Sequence, residues 1–122
     1  MLRCLVLGSF LLVACSSKKQ ESASSSPEAV AEARNTFNTF CSTCHGQNGK
    51  GDGPGAANLN PKPRNYTDKQ WQASVTDDQI KKIILEGGAA VGKSPMMPAN
   101  PQFRDKPEVV NELVKIVRSF GQ

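Results

Sequence analysis

Cys41-Ser42-Thr43-Cys44-His45, continued at once by GQNGKGDG over residues 46–53, is the stretch from which the rest of the chain takes its meaning. Two thiols three residues apart on a helical turn lie on one side of it, and an imidazole follows directly. Three chemistries use such a spacing. A thiol–disulfide redox pair needs a strand before it and a helix after it in an α/β domain, and no strand-like run precedes Cys41. Zinc needs a second pair of ligands, but His45 is the single histidine, and of the other cysteines Cys4 falls in an expected export signal and Cys15 at its expected cleavage site. Covalent haem attachment uses the run as it stands. Each sulfur can form a thioether with one vinyl group, and the adjacent His can turn its ring onto the iron from the same face.

On the N-terminal side of this run, Ser26 suits an N-cap, Pro27 the first helical position and Glu28 the positive end of a helix. Val30, Ala33, Phe37, Phe40, Cys41 and Cys44 recur at three- and four-residue steps, which predicts one apolar stripe in line with the two thiols. On the C-terminal side, the Gly- and Pro-rich residues 46–55 must be loop, and Asn60-Pro61-Lys62-Pro63-Arg64 is held extended by its prolines. Thr76 and Gln79 predict a capping box, with Val75 and Ile80 as the staple across it. Ile80, Ile83 and Ile84 predict a buried face, and Gly87-Gly88 a stop. A last helix is expected near Pro107, with Val109 or Val110, Leu113, Ile116, Val117 and Phe120 on its apolar face. No segment alternates with period two, so the fold class read from the pattern is all-α.

Composition narrows the function classes. The chain has 122 residues, enough for one domain with extensions. Its formal charge of +4 is scattered, without the basic block or basic–aromatic stripe of a nucleic-acid binder. At the N-terminus, the basic start Met1-Leu2-Arg3, an apolar middle and Leu12-Val13-Ala14 before Cys15 follow the export-signal pattern. With Cys directly after the Leu-x-Ala run, this segment resembles the lipobox of bacterial lipoproteins. The resemblance implies a signal peptide over 1–14, cleavage before Cys15 and acylation of Cys15, which would anchor the protein to a membrane. Ser supplies six of the eleven residues 16–26, a composition suited to a flexible tether, with ends roughly 18 Å apart as a coil. The expected division is therefore 1–14 signal, 15–26 lipidated Cys and tether, and 27–122 the functional domain.

The run CSTCHGQNGKGDG, the late Ser94-Pro95-Met96-Met97-Pro98 and three flanking helical segments closely resemble the small class I monohaem c-type cytochromes. That resemblance implies about three main helices wrapped around one haem c, attached through Cys41 and Cys44 and ligated by His45. The first and last helices would cross, the glycine loop would wrap a haem edge, and a carbonyl of Pro54 or Pro61 would accept the His45 Nδ1–H. Met97, directly before Pro98, matches the family's second axial ligand, with Met96 as the competitor. Arg64, Tyr66 and Trp71 stand where such cytochromes often hold haem propionates.

With both axial positions filled, iron has no vacancy for a substrate, and a soft thioether favours the ferrous state. The expectation is an electron carrier and not an enzyme, exchanging electrons with redox protein donors and acceptors at a periplasmic or cell-surface membrane, as a monomer. A haem domain with a labile Met, serving as a sensor or enzyme subunit, is the alternative.

Overall fold

The computed structural model describes residues 25–122; the signal expected over 1–14, the lipidation expected at Cys15 and the expected tether as far as residue 24 lie outside the described residues. The described chain is helical and contains no strand, as the periodicity predicted.

Helix α1 spans Pro27–Thr36 and begins as its sequence dictates. The Ser26 hydroxyl accepts the Ala29 amide at 3.2 Å, satisfying one of the amides a helix start leaves unpaired. Pro27 takes a first-turn position where no amide is needed, and Glu28 sits at the positive end. The backbone runs on through a π-helical turn, Phe37–Cys41, into the short helix α2, Ser42–His45. In that turn the Ser42 amide reaches back five residues to the Phe37 carbonyl. The inserted residue breaks the register of the expected stripe. Phe37 remains buried, but Phe40, expected on the apolar face, is 69% exposed.

Helix α3, Lys69–Ser74, is capped by the Asp68 carboxylate on the Trp71 amide. Helix α4, Asp77–Glu86, carries the full capping box: Thr76 accepts the Gln79 amide at 3.2 Å, and the Gln79 side chain accepts the Thr76 amide at 2.8 Å. Its expected face is only partly realised, because Ile80 is buried whereas Ile83 and Ile84 are half-buried. Helix α5, Pro107–Ser119, buries Val109, Val110, Leu113, Val114 and Val117. Its four valines each forgo roughly 0.5 kcal/mol of helix propensity, but burying each contributes about 1.5 kcal/mol or more, so packing decides the helix.

The most extensive helix–helix contact joins α1 to α5. Ala29 and Ala33 on α1 are small enough to let the two backbones approach, and Phe37, Tyr66, Ile80 and Phe103 complete the core around them. The α1–α2 unit therefore ends against a packed wall, and that end holds the Cys-x-x-Cys-His turn. Among the described residues no helix is long and apolar enough to cross a membrane.

Candidate functional site

The site is built from one rigid helical end and two loops. Helix α2 finishes at His45 and would leave its last carbonyls unpaired. The glycine loop returns to satisfy them: the Gly46 amide donates to Ser42 O at 2.8 Å, Gly51 to His45 O at 2.8 Å and Gly53 to Cys44 O at 3.1 Å. This approach is close enough to exclude a side chain at Gly53, where a Cβ would run into the carbonyl oxygens of Ser42 and Thr43. The loop is thus a fitted cap on the motif, and residue 53 is glycine for a steric reason.

Cys41 and Cys44 are both free and half-buried. Burial pushes the Cys41 thiol up to about 11, with a backbone hydrogen bond opposing it. The strand that precedes a thiol–disulfide pair in an α/β domain is absent among the described residues, which argues against such a role. Among the described residues there is also no cluster of three or more His, Cys, Asp or Glu suited to holding a metal ion.

His45 is 7% exposed. Burial lowers its pKa, and the hydrogen bond to the Arg64 carbonyl partly offsets that, so the ring is neutral at pH 7. Nδ1 lies 3.2 Å from the carbonyl oxygen of Arg64, and Nε2 lies 3.1 Å from the Tyr66 hydroxyl. A carbonyl can only accept, so these partners assign the proton to Nδ1 and leave a lone pair on Nε2. That is the tautomer a metal bound through Nε2 requires. The expected acceptor was the carbonyl of Pro54 or Pro61; the structure corrects this to Arg64. The reason is the extended segment 60–64, whose Pro63 carbonyl lies against Gly51 and which delivers the next carbonyl to the imidazole.

Arg64, Tyr66 and Trp71 come together, in a definite order. The Arg64 guanidinium lies 5.6 Å from the centroid of the Trp71 ring and forms an exposed 3.7 Å pair with Asp68. Trp71 stacks on Tyr66 at 5.6 Å, and Tyr66 stacks on His45 at 4.5 Å with only 12° between planes. Tyr66 also faces Phe120 at 6.2 Å, and Phe120 meets Phe37 at 5.4 Å. Burial raises the Tyr66 hydroxyl far above its ordinary range, with Cys41 as a lesser cause, so it stays protonated.

The second loop is a strap carrying both late methionines. Met97 is half-buried, whereas Met96 is 62% exposed. The strap is tied to the end of α4: Gly88 N donates to Met97 O at 2.9 Å, Asn100 N to Leu85 O at 3.1 Å and Asn100 Nδ2 to Ile84 O at 2.8 Å. Gly87 makes that contact feasible, with a φ of 78° and a Cβ position only 2.8 Å from Ala99 N.

Sequence reasoning missed several positioning residues. Gln72 Nε2 donates to Tyr66 O at 2.8 Å and to Val117 O at 2.9 Å, tying the tyrosine segment to α5. Arg118 donates to Gln72 O, Gln72 Oε1, Val75 O and Asp77 Oδ1, locking α5 to the α3–α4 junction. Asn100 reads as a turn former in Ala99-Asn100-Pro101, and no local pattern marks it as the tie to α4.

Two reduced thiols on one turn, a neutral imidazole whose unprotonated Nε2 is met only by the Tyr66 hydroxyl, and a loop without side chains at its closest approach form a donor set that fits a covalently attached haem once that hydroxyl gives way. Comparison with known families agrees: the family model described as Cytochrome c matches residues 30–119. No curated protein matches the chain.

Proposed function

The chain belongs to the cytochrome c family, and from that premise we propose that it is a lipid-tethered class I carrier of single electrons, serving a respiratory chain at the periplasmic or outer face of a bacterial membrane. Its cofactor is haem c, held by Cys41 and Cys44 in their CXXCH spacing; when bound, it supplies a one-electron ferric/ferrous couple. His45 and Met97 would hold its iron in this reading. Arg64 O fixes the plane and tautomer of the imidazole and raises its basicity through the Nδ1–H bond. Met97 offers a soft sulfur from a strap anchored at Gly88 and Asn100, and a thioether favours the reduced state. With both residues bound, the iron would offer no site to substrate, and electron exchange would be the activity, with redox protein donors and acceptors docking briefly through small interfaces.

The half-burial of Met97 beside an exposed Met96 supports Met97 as the ligand. Arg64 and Trp71, paired at the rim, are proposed as the groups nearest a propionate. Acyl chains on Cys15 and the Ser-rich segment after it would keep a monomeric domain near the membrane surface.

The observation that carries the reading is the buried, neutral His45 with Nδ1 on Arg64 O, one residue after the paired thiols. The experiment is co-expression with the haem-ligation machinery, followed by mass spectrometry and ferric and ferrous absorption spectra. One haem per chain with a low-spin ferric spectrum and a near-red sulfur-to-iron band is expected. A colourless product, or a high-spin ferric haem that takes up CO readily, would overturn the proposal.

A further inference from the structure

The π-helical turn Phe37–Cys41 puts a phenylalanine where the core cannot use it. Phe40 is largely exposed, while Phe37, three residues earlier, is buried. Such turns within helices often mark functional positions, and this one ends on the first attachment cysteine. At 3.6 residues per turn, Cys41, Cys44 and His45 share an arc of roughly 100°, and Phe40 falls about 40° outside it, next to Cys44. Phe40 therefore borders the face that carries both thiols and the imidazole.

The surface around it is uncharged. Residues 35–49, between Arg34 and Lys50, include no Asp, Glu, Lys or Arg, and neither do residues 53–61. These segments pack together: a Cβ at Gly55 would stand 3.0 Å from Thr43 Cγ2 and 3.4 Å from Cys44 Sγ. Asp52, between the two segments, lies against Gly46, past the His45 end of the motif. Lys62, the next cation, turns its ammonium onto the carbonyls of Ala56 and Ala57 at 2.8 and 2.7 Å. The strap over residues 94–100 adds no charge and exposes Met96. In haem, the half of the ring bearing the vinyl groups lies opposite the half bearing the propionates, so the two thiols take the uncharged half.

We propose that Phe40 is the central apolar contact of an uncharged docking face, and that the partner it fits is a redox protein with an equally uncharged, apolar rim around its own cofactor. This rests on the haem reading above. A charged rim would be desolvated here with no opposite charge to meet it, which costs affinity. A buried aromatic side chain, in contrast, is a common anchor at the centre of a protein interface. Encounter is then not steered by charge, and recognition comes from apolar burial.

The test uses the haem-loaded protein with a second copy of the chain as the probe, because each copy offers the other such a rim. Electron self-exchange between ferrous and ferric forms is read from exchange broadening in NMR spectra. In the parent, the rate should stay within about threefold while salt shortens the screening length from about 30 Å at 0.01 M to about 3 Å at 1 M. Phe40→Lys should slow exchange about fivefold at low salt, the factor that two facing unit charges near contact give in water, and added salt should restore it. A second measurement does not involve the rate. In protein grown on 3-fluorophenylalanine, the fluorine resonance that Phe40→Leu removes should be broadened by a neutral gadolinium chelate and should shift between the two iron states.

A parent rate that changes steeply with salt, or a Phe40→Lys rate equal to that of the parent, overturns the docking role. A Phe40 resonance that the chelate does not reach, or that ignores the iron oxidation state, overturns it as well. A colourless parent defeats the haem reading and this inference together, whereas a red parent that fails any of these measurements defeats the inference alone.

Discussion

The attachment turn and the strap proposed to face it across the haem are built differently. The attachment turn at residues 41–45 ends a packed helical unit, and three amides of the following glycine loop close on its carbonyls. His45 is buried and bonded at both ring nitrogens. The strap at residues 94–100 has no helix of its own, exposes Met96 and is tied at its middle, where Met97 O accepts Gly88 N, and at its far end, where Asn100 bonds to the last turn of α4. One proposed ligand, His45, is thus fixed by the fold, and the other, Met97, is presented by a loop with fewer ties. The difference implies that damage to the first segment costs stability and cofactor together, while damage to the second changes the spectrum and leaves the fold intact.

The largest effect tests the first half of that contrast. Replacing Cys41 and Cys44 together by Ala should abolish covalent haem, seen as loss of the cofactor mass. It should also reduce helical content by circular dichroism, since a domain this small depends on a bound group to complete its core. A fully helical, cooperatively melting haem-free variant would refute the dependence. Gly53→Ala strikes the same segment without touching a ligand. Its methyl meets two backbone carbonyls that cannot rotate away, so a loss of about 1–3 kcal/mol in denaturant unfolding is expected, together with a lower yield of attached haem. Wild-type stability in this variant would mean that the cap is looser than its contacts imply.

The strap responds on a smaller scale. Asn100→Ala removes the side-chain bond to Ile84 O while leaving the backbone bond to Leu85 O. The expected cost is about 1 kcal/mol. The near-red band should weaken at a lower temperature than in the parent, well before the helices melt. Coincident loss of band and helix would show that the strap is as firmly integrated as the attachment turn.

How much of this was legible in the sequence follows the same division between local and distant. The helix starts at Ser26-Pro27 and Thr76–Gln79 were readable because capping is settled within four residues. The attachment motif was readable because its chemistry is contiguous. The π-helical turn at Phe37–Cys41 was not, since period counting assumes the α register that the turn interrupts, and Phe40 was misplaced as a result. Nor could the partners of His45 be found by pattern. One is the backbone of Arg64, which carries no residue signature, and the other is Tyr66, reached only after the chain folds across 21 positions. Gln72, Asn100 and Arg118 act the same way, through bonds to main-chain carbonyls that any residue could have supplied.

The finest test of the contrast lies between two neighbouring methionines. Met97 is half-buried and its carbonyl is held by Gly88, whereas the Met96 side chain is largely in solvent. Removing an exposed thioether forgoes little apolar burial, so Met96→Ala should leave unfolding within about 0.5 kcal/mol of the parent and the ferric spectrum unchanged. Met97→Ala should alter stability modestly, because the strap's ties to α4 run through backbone atoms and Asn100. Yet it should abolish the near-red band, lower the potential and open the iron to CO. The two variants would then separate what holds the strap from what the strap delivers. If Met96→Ala were instead the one to lose the band, the ligand would be the more exposed sulfur. The iron's second ligand would then come from the most solvent-accessible part of the strap, and the opposition between a fixed and a loose axial side would be sharper still.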